Sequence, residues 1–121
     1  MEHLSIKNKI ITIHNKQVIL DSDIADLYGE ETKRINEAVM NNPDKFPEGY
    51  LVYLTLDDLE YLRSNFSTAK FSKTRVVPKA FSEKGLYMLA TILKSPQATQ
   101  ATISIIETFA NVRVLSRTIS K

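Results

Sequence analysis

The chain has no cysteine, which removes a disulfide framework, a thiolate nucleophile and a thiolate-bound metal together. Histidine is nearly as scarce. His3 lies near the terminus and His14 beside a turn, with no ordered ligand cluster around either, so neither a metal site nor a bound cofactor is expected. Glycine occurs three times in 121 residues, and no glycine-rich phosphate loop is present. No apolar run approaches the roughly 18 residues that would cross a bilayer. The segment MEHLSIKNKIITIHN lacks the apolar core and small-residue cleavage site of a secretory signal. A cytoplasmic protein with no membrane partner is the expectation. The chain also shows no internal repeat and no low-complexity linker.

What is present is a 43% apolar fraction, enough for one modest core and too short a chain for two. We read residues 1–121 as a single domain of the α+β class: compact, mostly helical, with a small N-terminal β-hairpin, a helix-turn-helix and a long C-terminal helix. The hairpin spans 10–20, with β-branched flanks around His14–Asn15–Lys16–Gln17. Thr55 and Asp58 form the capping box of a helix that buries Leu56, Leu59 and Leu62. A strand follows within 75–81, with Pro78 suiting a sheet edge. Helices then cover 82–93, with Leu86, Leu89, Ala90 and Leu93 on one face, and 96–117, where Ser95–Pro96 is a restart signal. Gly85 permits a close approach inside the first of these. Ala98, Ala101, Ile105, Phe109 and Val112 line one side of the last helix. Ile103, Ile106, Ala110 and Val114 widen that stripe enough to suggest a homodimer through the C-terminal helix.

The stretch DIADLYGEETKRINEAVMNN places two short helical patterns back to back within 22–41. Ser22 is a plausible cap for the first. Ile24, Leu27 and Tyr28 share one face of it, and Ile35, Ala38 and Val39 share one face of the second. Helices this short gain little alone and must pack. Ala25 and Ala38 let their backbones approach, and Gly29 sits where a left-handed turn is needed. Such a pair can lay its second helix, 32–41, in the major groove of duplex DNA. Arg34, Asn36, Glu37 and Lys33 are then the base-contacting candidates. Thr32 and Asn41 suit phosphate. The bases Lys70, Lys73, Arg75 and Lys79 form a loop, 70–79, that suits a neighbouring phosphate strand. Set against this is a plainer reading, in which the two helices only build a core and the loop is merely solvated. The aspartates of the first helix are expected to face solvent, whereas Glu30 and Glu31 approach the DNA side and would repel phosphate.

Beyond this motif the chain resembles the phage-type KilA-N/Bro-N group, nearest to its branch called the ORF-six N-terminal domain. The resemblance is carried by Asp21-Ser22-Asp23 followed by Ile24-Ala25-Asp26-Leu27-Tyr28-Gly29, and by Thr32-Lys33-Arg34-Ile35-Asn36-Glu37-Ala38-Val39. It continues through Asn42-Pro43, Phe46-Pro47, Leu54-Thr55 and Leu62-Arg63-Ser64. Pro78, Ala80-Phe81-Ser82-Glu83, Gly85 and Met88-Leu89 complete it. Glu30 stands where that group has a small apolar turn residue, and Arg75 to Lys79 lacks its aromatics. The resemblance implies a duplex-DNA-binding module of a phage or prophage regulator, antirepressor-like, often followed by a C-terminal companion domain.

Other functions rank lower. A protein-interaction module without DNA contact is the main alternative. A nuclease built on Asp57, Asp58 and Glu60 is third, because adjacent carboxylates point different ways and no partner helix supplies a ligand. Arg63 suits an ion pair with Glu60, and Arg113 and Arg117 suit the outer side of the last helix. Tyr28, Tyr50, Tyr53, Tyr61 and Tyr87 scatter across elements and are read as partly buried packing residues. An enzyme is not expected.

Overall fold

The computed structural model describes residues 6, 8–65 and 77–120, with side chains as far as 112. After helical residues 6, 8 and 9 come two short strands, β1 (Ile11–Ile13) and β2 (Lys16–Leu20). Their turn is only His14 and Asn15, both with positive φ (54° and 63°). That geometry twists in the same sense as the strands and holds the antiparallel register Ile11–Val18, Thr12–Gln17 and Ile13–Lys16. Lys16 and Gln17, expected in the turn, belong to the strand.

The hairpin does not stand alone. β3 (Leu51–Tyr53) and β4 (Lys79–Phe81) join it in a four-stranded sheet of order β1-β2-β4-β3, all antiparallel. β4 is therefore an interior strand. Pro78 sits just ahead of it rather than on an edge, so the missing N–H costs the ladder nothing. Alternate residues go to opposite faces of the sheet. Ile19, Leu51 and Phe81 enter the larger core, and Val18, Leu20, Val52 and Ala80 enter a smaller one with Ile13 and Leu62.

Among the described residues, five helices of eight or more residues lie against the sheet: α1 (Asp21–Tyr28), α2 (Thr32–Met40), α3 (Leu56–Asn65), α4 (Glu83–Leu93) and α5 (Pro96–Ser120). The larger core takes Ile24, Ala25 and Tyr28 from α1, Ile35, Ala38 and Val39 from α2, and Leu86 and Leu89 from α4. Ala98, Ile105 and Phe109 come from α5. Phe46, just after the 3-10 turn Pro43–Lys45, meets Phe81 edge to face at 6.2 Å. On the opposite face, α3 contributes Leu62 to the smaller core. Leu56, expected inside, is 70% exposed. As the first residue of α3 it lies one position off the side that carries the buried Leu59 and Leu62.

Where α4 begins, Ser82 caps the helix by accepting from the Gly85 N–H and donates its own hydroxyl to the carbonyls of Gly49 and Tyr50. A Cβ on Gly85 would collide with the Tyr50 carbonyl oxygen. Ser95 likewise caps α5, accepting from the Ala98 N–H at 3.0 Å. Most of the apolar stripe on α5 is consumed inside the chain. Through Val112, Ile103 is the one large apolar side chain of α5 left exposed, which weakens the case for a dimer on that face. No helix among the described residues is long and apolar enough to cross a membrane.

Candidate nucleic-acid interface

The two-helix unit forms because α1 stops in a way that aims α2. Gly29 is left-handed (φ 69°, ψ 34°). Its N–H reaches the Asp26 carbonyl, and the Glu30 N–H reaches Ala25 at 2.9 Å. This is a Schellman ending, in which two carbonyls of the last turn are satisfied by the residues that reverse the chain. The Gly29 position also faces the amide of Gln97 on α5 closely enough that a Cβ would displace it. Ala25 and Ala38 are buried where α1 meets α2. Tyr28 is fully buried, and its hydroxyl lies 2.6 Å from Thr102 Oγ1, tying α1 to α5. Burial pushes that phenol up to about 12, with the Thr102 contact pulling the other way.

The start of α1 differs from expectation. β2 runs into the helix without a loop, so the cap position falls on Leu20 rather than Ser22, and the Ser22 N–H donates to Asp21 Oδ1 at 2.7 Å. Asp21 and Asp23 are buried rather than solvent-facing; only Asp26 of the three is exposed. Asp23 pairs with Lys9 at 3.5 Å. A carboxylate brought into a protein needs several donors to offset its lost hydration, and Asp21 finds them on three elements. Its Oδ2 takes both the Asn36 amide from α2 and the Lys79 N–H from β4, each at 3.2 Å.

That arrangement decides what α2 presents. Ile35, Ala38 and Val39 fill the core, while Lys33, Arg34, Glu37, Met40 and Asn41 are exposed and Thr32 is half-buried. Asn36, expected at a base edge, is turned inward. Its amide is held by Asp21, and its Oδ1 is buried with no partner among the described residues. Arg34 remains 58% exposed and meets Glu30 Oε1 through Nε at 3.2 Å. Glu30, the acid that looked misplaced, is thus paired. Met40, 70% exposed, lies seven residues beyond Lys33, two helical turns along the same side. No side chain caps the first turn of α2.

Lys79 is half-buried, and its backbone meets the same carboxylate as Asn36, so the chain that leads into β4 runs beside α2. Lys70, Lys73 and Arg75 lie outside the described residues, as do His3 and the side chains of Arg113 and Arg117. Arg63 pairs with Glu60 at 2.8 Å. Asp58 serves as a cap and lies 3.1 Å from His14 Nε2, and no group of acids and histidines that could hold a metal occurs among the described residues. Tyr53, Tyr61 and Tyr87 are more exposed than expected, at 75%, 50% and 52%. Tyr61 and Tyr87 stand on helix sides turned away from the cores, and Tyr53 is the last residue of its strand.

Two short helices joined by a left-handed glycine, with a charged outer face on the second, form a helix-turn-helix. A profile of the ORF6N domain matches residues 8–92, and the chain belongs to that family, a non-catalytic module of KilA-N/Bro-N character broadly linked to nucleic-acid-binding regulatory proteins. Among curated proteins and solved structures, nothing matches the chain.

Proposed function

We propose that the chain binds duplex DNA with a preference for sequence, laying 32–41 in the major groove and the basic loop 70–79 on phosphates. The observation that carries this is the split character of α2. Its apolar side is spent on the core, and its other side offers Lys33, Arg34 and Glu37 to base edges with an uncapped amino terminus ahead of them. A bidentate arginine contact to guanine suits Arg34, and an exposed apolar side chain such as Met40 suits the methyl group of thymine. Thr32 and Asn41 remain phosphate contacts at the two ends of the helix. In this reading Asn36 sets the rotation of α2 from behind, and Asp21 carries that constraint to Lys79.

From Glu30 to Asn41 there are three acids against two bases. The helix therefore does not attract phosphate by itself, and long-range attraction falls to Lys70, Lys73, Arg75 and Lys79. Residues 1–121 act here as one domain, which the shared core of α1, α2, α4 and α5 supports. The setting we favour is transcriptional regulation by a cytoplasmic phage or prophage protein, antirepressor-like, with a C-terminal companion domain. A homodimer would read two half-sites.

The competing reading is a protein-interaction module, favoured by exposed Tyr53, Leu56 and Tyr61 around β3 and α3. Selection from a random duplex library, followed by binding of the recovered sequence across salt concentrations, separates the two. Enrichment with a steep salt slope is expected. Recovery of no common sequence would favour the interaction module.

A further inference from the structure

An acid in the turn of a DNA-reading unit is a cost unless it does something for recognition. Glu30 is not loosely placed. The left-handed Gly29 and the bond from the Glu30 N–H to Ala25 fix its backbone, and its side chain is only 24% exposed. From that fixed base Oε1 reaches Arg34 Nε at 3.2 Å. No described residue takes Nη1 or Nη2 of Arg34, and that side chain stays 58% exposed. The guanidinium is therefore held at its Nε side by an ion pair, without a hydrogen bond, while most of the side chain stays open to solvent. A freely rotating arginine must be ordered on binding. One drawn to a fixed carboxylate explores fewer positions beforehand, and its two Nη groups match guanine O6 and N7.

We propose that Glu30 is a positioning residue for Arg34, holding the guanidinium so that its Nη fork reads a guanine. The proposal rests on α2 being the groove helix. It also predicts opposite signs for two quantities. The carboxylate repels phosphate, so it lowers affinity for DNA in general, and it fixes Arg34, so it raises discrimination at one base pair. A residue that only supported the turn would move both quantities in the same direction.

The test uses the full chain as wild type, Glu30→Ala, Glu30→Gln, Arg34→Ala and the Glu30→Ala/Arg34→Ala pair, with folding checked by thermal unfolding. A duplex selected from a random library by the wild type is compared with versions altered one base pair at a time, and with mixed-sequence DNA. Arg34→Ala is expected to lose preference at one G·C pair. Glu30→Ala should lose roughly 5-fold in preference at that same pair, the lower end of what a bidentate contact supplies, while binding mixed-sequence DNA more tightly. Glu30→Gln removes the charge but keeps the length and should lose as much preference as Glu30→Ala; it also carries the comparison if the alanine variant unfolds. With Arg34 already removed, Glu30→Ala should change the preference no further. Unchanged or sharper preference in both Glu30 variants, alongside a loss in Arg34→Ala, would overturn this inference alone. If the wild type selects no sequence at all, the groove-helix reading fails and this inference fails with it.

Discussion

Helices α2 and α3 are nearly equal in length and each buries one face, yet they end in opposite ways. At α3 the Thr55 N–H donates to Asp58 Oδ2 at 2.8 Å and the Asp58 N–H donates to Thr55 Oγ1 at 3.2 Å. Acids occupy its first turn, and Arg63 in its last turn is paired with Glu60. Its amino terminus is closed by its own residues. At α2 no side chain caps the first turn, no acid lies within it, and Arg34 stays largely exposed. A helix amino terminus carries partial positive charge and unpaired N–H groups that favour an anion. In α3 the protein supplies that anion itself. In α2 the acids Glu30 and Glu31 precede the first turn without capping it, so no side chain takes its N–H groups.

The largest effect should come where the two helices are alike, on their buried sides. Ile35→Ala and Leu62→Ala each remove a fully buried aliphatic side chain and should cost about 2–5 kcal/mol of stability, read by urea unfolding. The Ile35 variant opens the larger core between α1, α2 and α4, and the Leu62 variant the smaller one below the sheet. If either change were nearly silent, that helix would not be held by the core described for it.

Next come the outer arginines, where the helices should part. Arg34→Ala is expected to remove roughly 1–3 kcal/mol of discrimination at one base pair with little change in stability. Arg63→Ala should leave both quantities almost untouched, since an exposed ion pair contributes little. Equal losses of DNA preference from the two variants would erase the distinction between the helices.

This contrast was only half legible in the residues. Three caps were, because Thr55 with Asp58, Ser82, and Ser95 with Pro96 follow local rules that need no tertiary context, whereas the cap expected at Ser22 was not, since β2 runs straight into α1. So was the turn at Gly29, where the left-handed conformation demands glycine. The four-stranded sheet was not, because strands of three residues carry no measurable alternation and β4 pairs with β2 across the chain, Ile19 with Phe81 and Leu20 with Ala80. Nor was the inward turn of Asn36. Its partner Asp21 lies on another helix, and helical spacing alone leaves rotation uncertain by about one position. Glu30 looked like a liability because its partner four residues on had already been assigned to DNA. Site chemistry was readable by type, then, and site geometry only where it was local.

A smaller effect sharpens the comparison of amino termini. Thr55→Ala removes the hydroxyl that accepts from Asp58 and should destabilise the protein by about 0.5–2 kcal/mol. DNA affinity and its salt slope should not move, because α3 lies across the sheet from α2. Thr32→Ala should do the reverse, with stability nearly unchanged and affinity reduced alike for all sequences. A salt-slope change in the Thr55 variant would place α3 at the interface.

The smallest effect is a pH dependence that α3 should own. The Thr55 N–H holds the Asp58 carboxyl below its ordinary range, and the His14 contact adds to this against the opposing pull of burial. Because the folded form binds the proton less readily than the unfolded chain, the ionised carboxylate stabilises the fold. That contribution is complete above the unfolded value, about pH 4. It is lost as pH falls through the lower folded value. Thermal unfolding of the wild type should therefore show a decline between about pH 5 and about pH 3 that is shallower in Asp58→Asn. The asparagine keeps an oxygen for the Thr55 N–H but cannot be protonated in that range, so the variant separates charge from capping. Parallel curves for the two proteins would mean that the acid limb belongs to other carboxylates, and that the amino terminus of α3 is closed by hydrogen bonding with no help from charge.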